Sequence, residues 1–250
     1  MLRLEDLHIR QGAFHLRAAF GVAAGARVAV IGPSGSGKST LLGAIAGFVP
    51  HAGRVTWQGQ GLPDDPGARP VSILFQDNNL FPHLSAADNV ALGLKPSLRL
   101  TAPDRARVRD ALGRVGLDGM DNRRPAELSG GQQSRVALAR TLIRARPLML
   151  LDEPFAALGP ALKAEMLALV AEIVAETGAT LLMVSHDVAD ARAICDETIL
   201  VAGGVAHAPQ PTAALLDDPP PELRAYLGEG AAGSGALPLW SLRDHSPQDI

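Results

Sequence analysis

A chain of 250 residues, 47% hydrophobic and 20% charged, has enough apolar material to bury a core without disulfides or metals, and reads as a single globular domain with room for sub-lobes. Its formal net charge of −3 leaves no basic excess for counterion-release binding, so no nucleic-acid partner is expected. The single cysteine, Cys195, excludes an internal disulfide. Met1-Leu2-Arg3-Leu4-Glu5-Asp6 lacks the apolar core of a signal peptide, and no run reaches the roughly 18 to 20 uncharged apolar residues that cross a bilayer. A cytoplasmic chain is expected, with any membrane role supplied by a partner.

In chain order, the stretch to about Trp57 carries short β-type runs and reads as a small antiparallel sheet beside a phosphate-binding segment. Segments 27–31, 71–75, 148–151 and 180–184 are almost continuously apolar, as strands covered on both faces are. Residues from about 85 to 146 hold no good strand but much helical pattern, which reads as an inserted helical sub-lobe. Pro160 and Gly178 bracket an amphipathic helix with Leu162, Met166, Leu169, Val170, Ile173 and Val174 on one face, completing a strand-helix-strand crossover. The Gly-, Ala-, Ser- and Pro-rich segment 228–250 has no periodicity and reads as a disordered tail. Trp57 reads as sheet packing and Cys195 as a small buried apolar residue.

Two motifs carry chemistry. Gly32-Pro33-Ser34-Gly35-Ser36-Gly37-Lys38-Ser39 follows the strand ending at Ile31 and opens a helix at Thr40. Glycines let the backbone wrap a phosphate, freed amides and the helix N-terminus supply positive potential, and Lys38 adds a mobile charge for the β- and γ-phosphates of a nucleotide. The Ser39 hydroxyl is placed to ligate Mg²⁺. Alone, the loop also fits a glycine-rich turn, and Asp152-Glu153 an ordinary polar turn. At the C-terminal end of an apolar strand, however, those carboxylates stand where open α/β sheets bind ligands, Asp152 suited to Mg²⁺ and Glu153 to polarising the attacking water.

Leu128-Ser129-Gly130-Gly131-Gln132 and the following Ser134-Arg135-Val136-Ala137-Leu138-Ala139-Arg140 resemble the signature segment and helix of ABC ATPases. A Ser-Gly-Gly turn leading a helix is physically a second anion site, although Ser129 equally fits a plain helix N-cap. The resemblance covers nearly all of residues 1–227. It implies a P-loop α/β core with a mainly parallel sheet (1–84 and 147–227), an N-terminal antiparallel β subdomain and an α-helical subdomain (about 85–146). It implies a head-to-tail homodimer in which Ser129, Gly130, Gly131 and Gln132 of one copy complete the other's site. Gln76 matches the glutamine that contacts Mg²⁺ and the attacking water, and His186 the histidine that contacts the γ-phosphate. The partners implied are an integral membrane permease, at the cytoplasmic face of the bacterial inner membrane, and indirectly a periplasmic solute-binding protein.

Residues 71–84, Gly93-Leu94-Lys95-Pro96 and 181–187 further resemble ATPase subunits of thiamine importers, with importers of Fe³⁺, polyamines or other small solutes as the alternative. Soluble ABC ATPases of other classes carry coiled-coil insertions or paired cassettes that this sequence lacks. Leu80, Phe81 and Leu84 offer an apolar groove for a permease helix, or ordinary packing between lobes. Two positions depart from the family. Gly159 stands where an Asp is expected, and Gln11 stands nearest the slot of the adenine-stacking aromatic, with Phe14 as substitute or as core.

Overall fold

The computed structural model describes residues 1–228. Among these residues eleven strands form one hydrogen-bonded sheet. One end of it is made of five parallel strands in spatial order β9 (Glu197–Ala202), β3 (Arg27–Ile31), β8 (Thr180–Val184), β7 (Leu148–Asp152) and, at the edge, β6 (Val71–Leu74). Their continuous apolarity has the expected cause. Leu148, Leu150, Leu182 and Val184 face one core, while Met149, Leu151, Leu181 and Met183 face a second core on the other side. Burying each such side chain contributes on the order of 1.5–3 kcal/mol.

The first core lies under α1 (Lys38–Ala46) and an antiparallel layer of β1 (Leu2–Gln11), β2 (Phe14–Val22), β4 (Ala52–Trp57) and β5 (Gln60–Gly61). The second lies under α2 (Ala86–Ala91), α3 (Ala102–Arg114) and α4 (Gly130–Ile143), which pack on one another. Also on that side are α5 (Pro160–Thr177), α6 (Val188–Ile194), α7 (Thr212–Asp217) and α8 (Pro221–Leu227). The short β10 (Val205–Ala206) joins the two parts of the sheet by pairing with β2 and β9, and β11 (Gln210–Pro211) pairs with β9.

The N-terminal strands depart from expectation: β1 and β2, at 10 and 9 residues, are the longest in the sheet rather than short. Asp6, at φ +50°, sits where the pairing of β1 slips, so Leu2 and Leu4 are followed by Leu7 and Ile9 and the period-two pattern breaks in the sequence. Gly53 of β4 accommodates this bulge, since a Cβ there would lie 2.1 Å from the Asp6 carbonyl oxygen. Strand β6 stops at Leu74, one residue short of the expected end, and Phe75 turns its ring to Phe48 at a centroid distance of 5.7 Å. In α5, Leu167 joins Met166, Val170, Ile173 and Val174 in the buried face, while Leu162 and Leu169 are half-buried. Cys195 is buried, and that burial pushes its thiol up to about 12, which keeps it protonated. Among the described residues no helix is long and apolar enough to cross a membrane. Beyond Gly228, the segment expected to be a disordered tail lies outside the described residues.

Candidate functional site

Parallel pairing in register brings four strand ends to one edge of the sheet. Val30 and Asp152 both stand opposite Val184, and Leu74 stands opposite Leu151. The segments that leave these strands therefore emerge side by side. They border a cleft of about 700 Å³ lined by Gly32, Ser34, Gly35, Gly37, Lys38, Ser39 and Thr40, by Gln76, Glu153 and His186, and by Gln11, Phe14 and Tyr226. Gln76 and His186 lie two residues past their strands, not at the ends themselves.

The glycine loop is built for close approach of its backbone. Gly32, Gly35 and Gly37 have φ of +148°, +75° and +103°. A Cβ on Gly32 would stand 2.1 Å from the Val201 carbonyl oxygen, and one on Gly37 would stand 2.6 Å from the Phe14 ring. Gly37 caps α1 without a side chain, so the first-turn amides of this nine-residue helix are uncapped by any side chain. Ser36 Oγ is buried with no hydrogen-bond partner among the described residues, the condition of a group whose partner is a ligand oxygen. Lys38, 7% exposed, folds back to donate from Nζ to the carbonyls of Gly32 (2.9 Å) and Pro33 (3.0 Å). Burial lowers its pKa, against the opposing pull of Glu153 and Asp152.

Ser39 Oγ donates to Asp152 Oδ1 at 2.8 Å. Burial raises the Asp152 pKa, the Ser39 hydrogen bond lowers it, and the negative charge of Glu153 raises it further. Among the described residues no three His, Cys, Asp or Glu side chains are grouped to cage a metal ion. Glu153 itself is left-handed at φ +45°, with its N–H donating to the Val184 carbonyl at 3.2 Å. Such a backbone costs about 1–3 kcal/mol and is held only by its surroundings. It turns Glu153 Oε2 to within 3.4 Å of His186 Nδ1.

The loop carrying His186 is anchored on both flanks. Ser185 Oγ donates to Asp190 Oδ2 at 2.5 Å, and Asp187 caps α6 by accepting from Ala189 N. Lys163 of α5 bridges Asp187 Oδ2 (2.9 Å) and Asp190 Oδ1 (2.7 Å), and its hydrogen bond pulls the Asp187 pKa down. Tyr226 donates its hydroxyl to the His186 carbonyl at 2.6 Å. No sequence signal pointed to Tyr226 or Lys163, because both act through tertiary contact.

Ser129, Gly130, Gly131 and Gln132 do not line this cleft. They form the start of α4, where Ser129 and Gln132 make a reciprocal capping box, so the N-cap reading of Ser129 holds. Ser129 and Gly130 are exposed. Gln11 stands exposed at the rim, while the half-buried Phe14 ring packs on both Gly37 and the first core.

A parallel sheet with a glycine-rich loop, a buried lysine and two carboxylates at its C-terminal edge defines a P-loop nucleotide-binding protein. The family model described as "ABC transporter" matches residues 17–156, and the chain belongs to that family of ATPases. It is 67% identical over 230 residues to the thiamine import ATP-binding protein ThiQ of Cereibacter sphaeroides, covering 91% of this chain and 100% of that one. The protein of the same name from Aliivibrio fischeri is 43% identical over 236 residues, covering 91% and 98%. Among solved structures, the ATP-binding cassette MJ0796, dimeric in a post-hydrolysis state bound to ADP and Pi, superposes with a TM-score of 0.75 at 30% identity, covering 85% of this chain and 99% of that one. The cbiO1 subunit from Clostridium perfringens, part of the ABC transporter complex cbiONQ, gives a TM-score of 0.77 at 26% identity, covering 91% and 94%.

Proposed function

We propose that this chain is the ATP-hydrolysing subunit of a bacterial importer for thiamine and its phosphates. The observation that carries the solute is the 67% identity to a thiamine import ATP-binding protein over that protein's whole length. In this reading the chain sits at the cytoplasmic face of the inner membrane against an integral permease, fed indirectly by a periplasmic binding protein. Two copies pack head to tail, and the helical lobe of about residues 85–146 presents Ser129, Gly130, Gly131 and Gln132 to the phosphates held by the other copy.

Within each cleft the loop Gly32 to Ser39, with Thr40 behind it, cradles the ATP phosphates through its amides and Lys38. Glu153 polarises the attacking water, and Gln76 and His186 orient it and the γ-phosphate. The oxygen pair Ser39 and Asp152, 2.8 Å apart in a partly desolvated place that disfavours an uncompensated carboxylate, fits Mg²⁺ together with Gln76. When bound, Mg²⁺ supplies charge neutralisation on the phosphates. Catalysis is then positioning and electrostatic stabilisation of a loose transition state.

A groove of about 390 Å³ lined by Phe48, Ile73, Phe81, Leu92, Arg140 and Arg144 supports permease docking. Phe48 and Phe81 are 55% and 46% exposed. The loop bearing Phe81 is fixed by Asn89, which accepts from the Phe81 N–H and donates to the carbonyls of Phe81, Leu84 and Ser85. Leu80 packs inward against the second core instead.

The test is ATP turnover of the reconstituted transporter. Binding protein loaded with thiamine should stimulate turnover several-fold, whereas the unloaded protein should not. Equal stimulation by Fe³⁺- or polyamine-loaded binding proteins, with none by thiamine, reassigns the solute and leaves the ATPase reading intact.

Gly159 starts α5 as an N-cap with no side-chain hydrogen bond, at φ −64° and with open space where a Cβ would stand. Gly159→Asp is therefore expected to fold normally and to firm α5 by a few tenths of a kcal/mol through a restored cap. By offering an acceptor across the dimer, it should lower the ATP consumed per solute imported. An unchanged ratio in a transport assay contradicts a coupling role for this position.

A further inference from the structure

We infer that Tyr226 is a positioning residue of the hydrolytic site: its hydroxyl, delivered by α8, the last helix among the described residues, holds the His186 carbonyl and so fixes where that imidazole stands over the cleft. The inference rests on the reading of His186 as a γ-phosphate contact.

His186 has little else to hold it. Its side chain is over half exposed, with Glu153 Oε2 at 3.4 Å from Nδ1, so its position follows from its backbone. That backbone is gripped before and after. Ser185 N donates to the Val30 carbonyl, Ser185 Oγ is tied to Asp190, and Asp187 is tied to Lys163 and to the start of α6. These ties all come from the sheet, α5 and α6. The His186 carbonyl between them receives its donor from α8, through Tyr226 at 2.6 Å.

Helix α8 suits this task because it is itself pinned. Pro221 starts it, Gly228 ends it at φ +78°, Leu223 is fully buried, and Tyr226 and Leu227 pack on the second core. The Tyr226 ring is thus half-buried support and its hydroxyl the working end, on the wall of the nucleotide cleft. Burial, with Glu153 and Asp187 adding negative potential, raises the phenol's pKa, so the group stays protonated and donates. A phenylalanine keeps the ring and the packing while losing the donor. It is the variant that separates the two roles.

The experiment compares Tyr226→Phe, His186→Ala and the unaltered 250-residue chain with Mg-ATP. Tyr226→Phe should keep its melting temperature and its affinity for a fluorescent ATP analogue, keep KM within about twofold, and lose about 3–10-fold in kcat, since displacements well under 1 Å at a reacting group have effects of this size. Amide hydrogen exchange should speed up at residues 185–188 but not within β8. An unchanged kcat in Tyr226→Phe beside a large loss in His186→Ala overturns the inference alone. So does a raised KM at unchanged kcat, which makes Tyr226 a nucleotide contact, and so does a loss matched by unfolding. Full activity of His186→Ala overturns the catalytic reading of that histidine and the inference with it.

Discussion

Glu153→Gln should lower ATP turnover by about two to four orders of magnitude while leaving nucleotide binding intact, the range expected when a positioned general base is removed. The substitution is nearly isosteric, so the left-handed backbone at φ +45° and the hydrogen bond from Glu153 N to the Val184 carbonyl are kept. What disappears is the carboxylate that stands 3.4 Å from His186 Nδ1 and faces the glycine loop across the cleft. Lys38 and Asp152 also feel that charge: Glu153 raises the pKa of both, so the amide variant should bind anionic phosphates at least as well as the parent. Phosphate release measured at saturating Mg-ATP, with affinity measured separately, checks both halves. Turnover within a few-fold of the parent would remove Glu153 from the chemistry.

Lys38→Ala should act on the other term and weaken nucleotide binding by about 100-fold, or roughly 2.7 kcal/mol. The ammonium donates to the Gly32 and Pro33 carbonyls, so it also ties the loop that it serves. Burial lowers its pKa because the charge is poorly hydrated, and a charge in such a place is favoured by an anionic partner. Alanine removes that cation and leaves two carbonyls without their donor. A small loss of stability should therefore accompany the large loss of affinity. Calorimetric titration with a non-hydrolysable ATP analogue and a thermal melt separate the two. A melt shift with unaltered affinity would mean that Lys38 only braces the loop.

The parts of this molecule legible in its sequence are those governed by local pattern. Strands β3 and β8 begin and end where their apolar runs do, and α5 lies between its Pro160 and Gly178 signals. The glycine loop is legible because its chemistry needs consecutive residues. The N-terminal strands were obscured because the bulge at Asp6 breaks the alternation that would have shown their length. The position of Gln76 was displaced because β6 yields Phe75 to an aromatic contact with Phe48, which no local pattern announces. Tyr226 is the clearest limit. It sits 40 residues from His186 on a seven-residue helix, and only the packing of α8 on the second core brings the two together. Lys163 is similar: its ion pairs with Asp187 and Asp190 depend on how α5 crosses α6.

The signature segment illustrates a different gap. Ser129 and Gln132 satisfy each other in a capping box, yet they lie on an exposed helix start away from the cleft of their own chain. In the head-to-tail pairing proposed above, a single copy would hold two incomplete halves of a site. The measurement that tests this most directly is the mass of the Glu153→Gln chain by light scattering with and without Mg-ATP. Two copies sandwiching nucleotide predict a doubling of mass on adding Mg-ATP, reversed by chelating the metal and absent when Ser129→Arg is introduced. A chain that binds ATP tightly and remains a monomer would contradict the pairing.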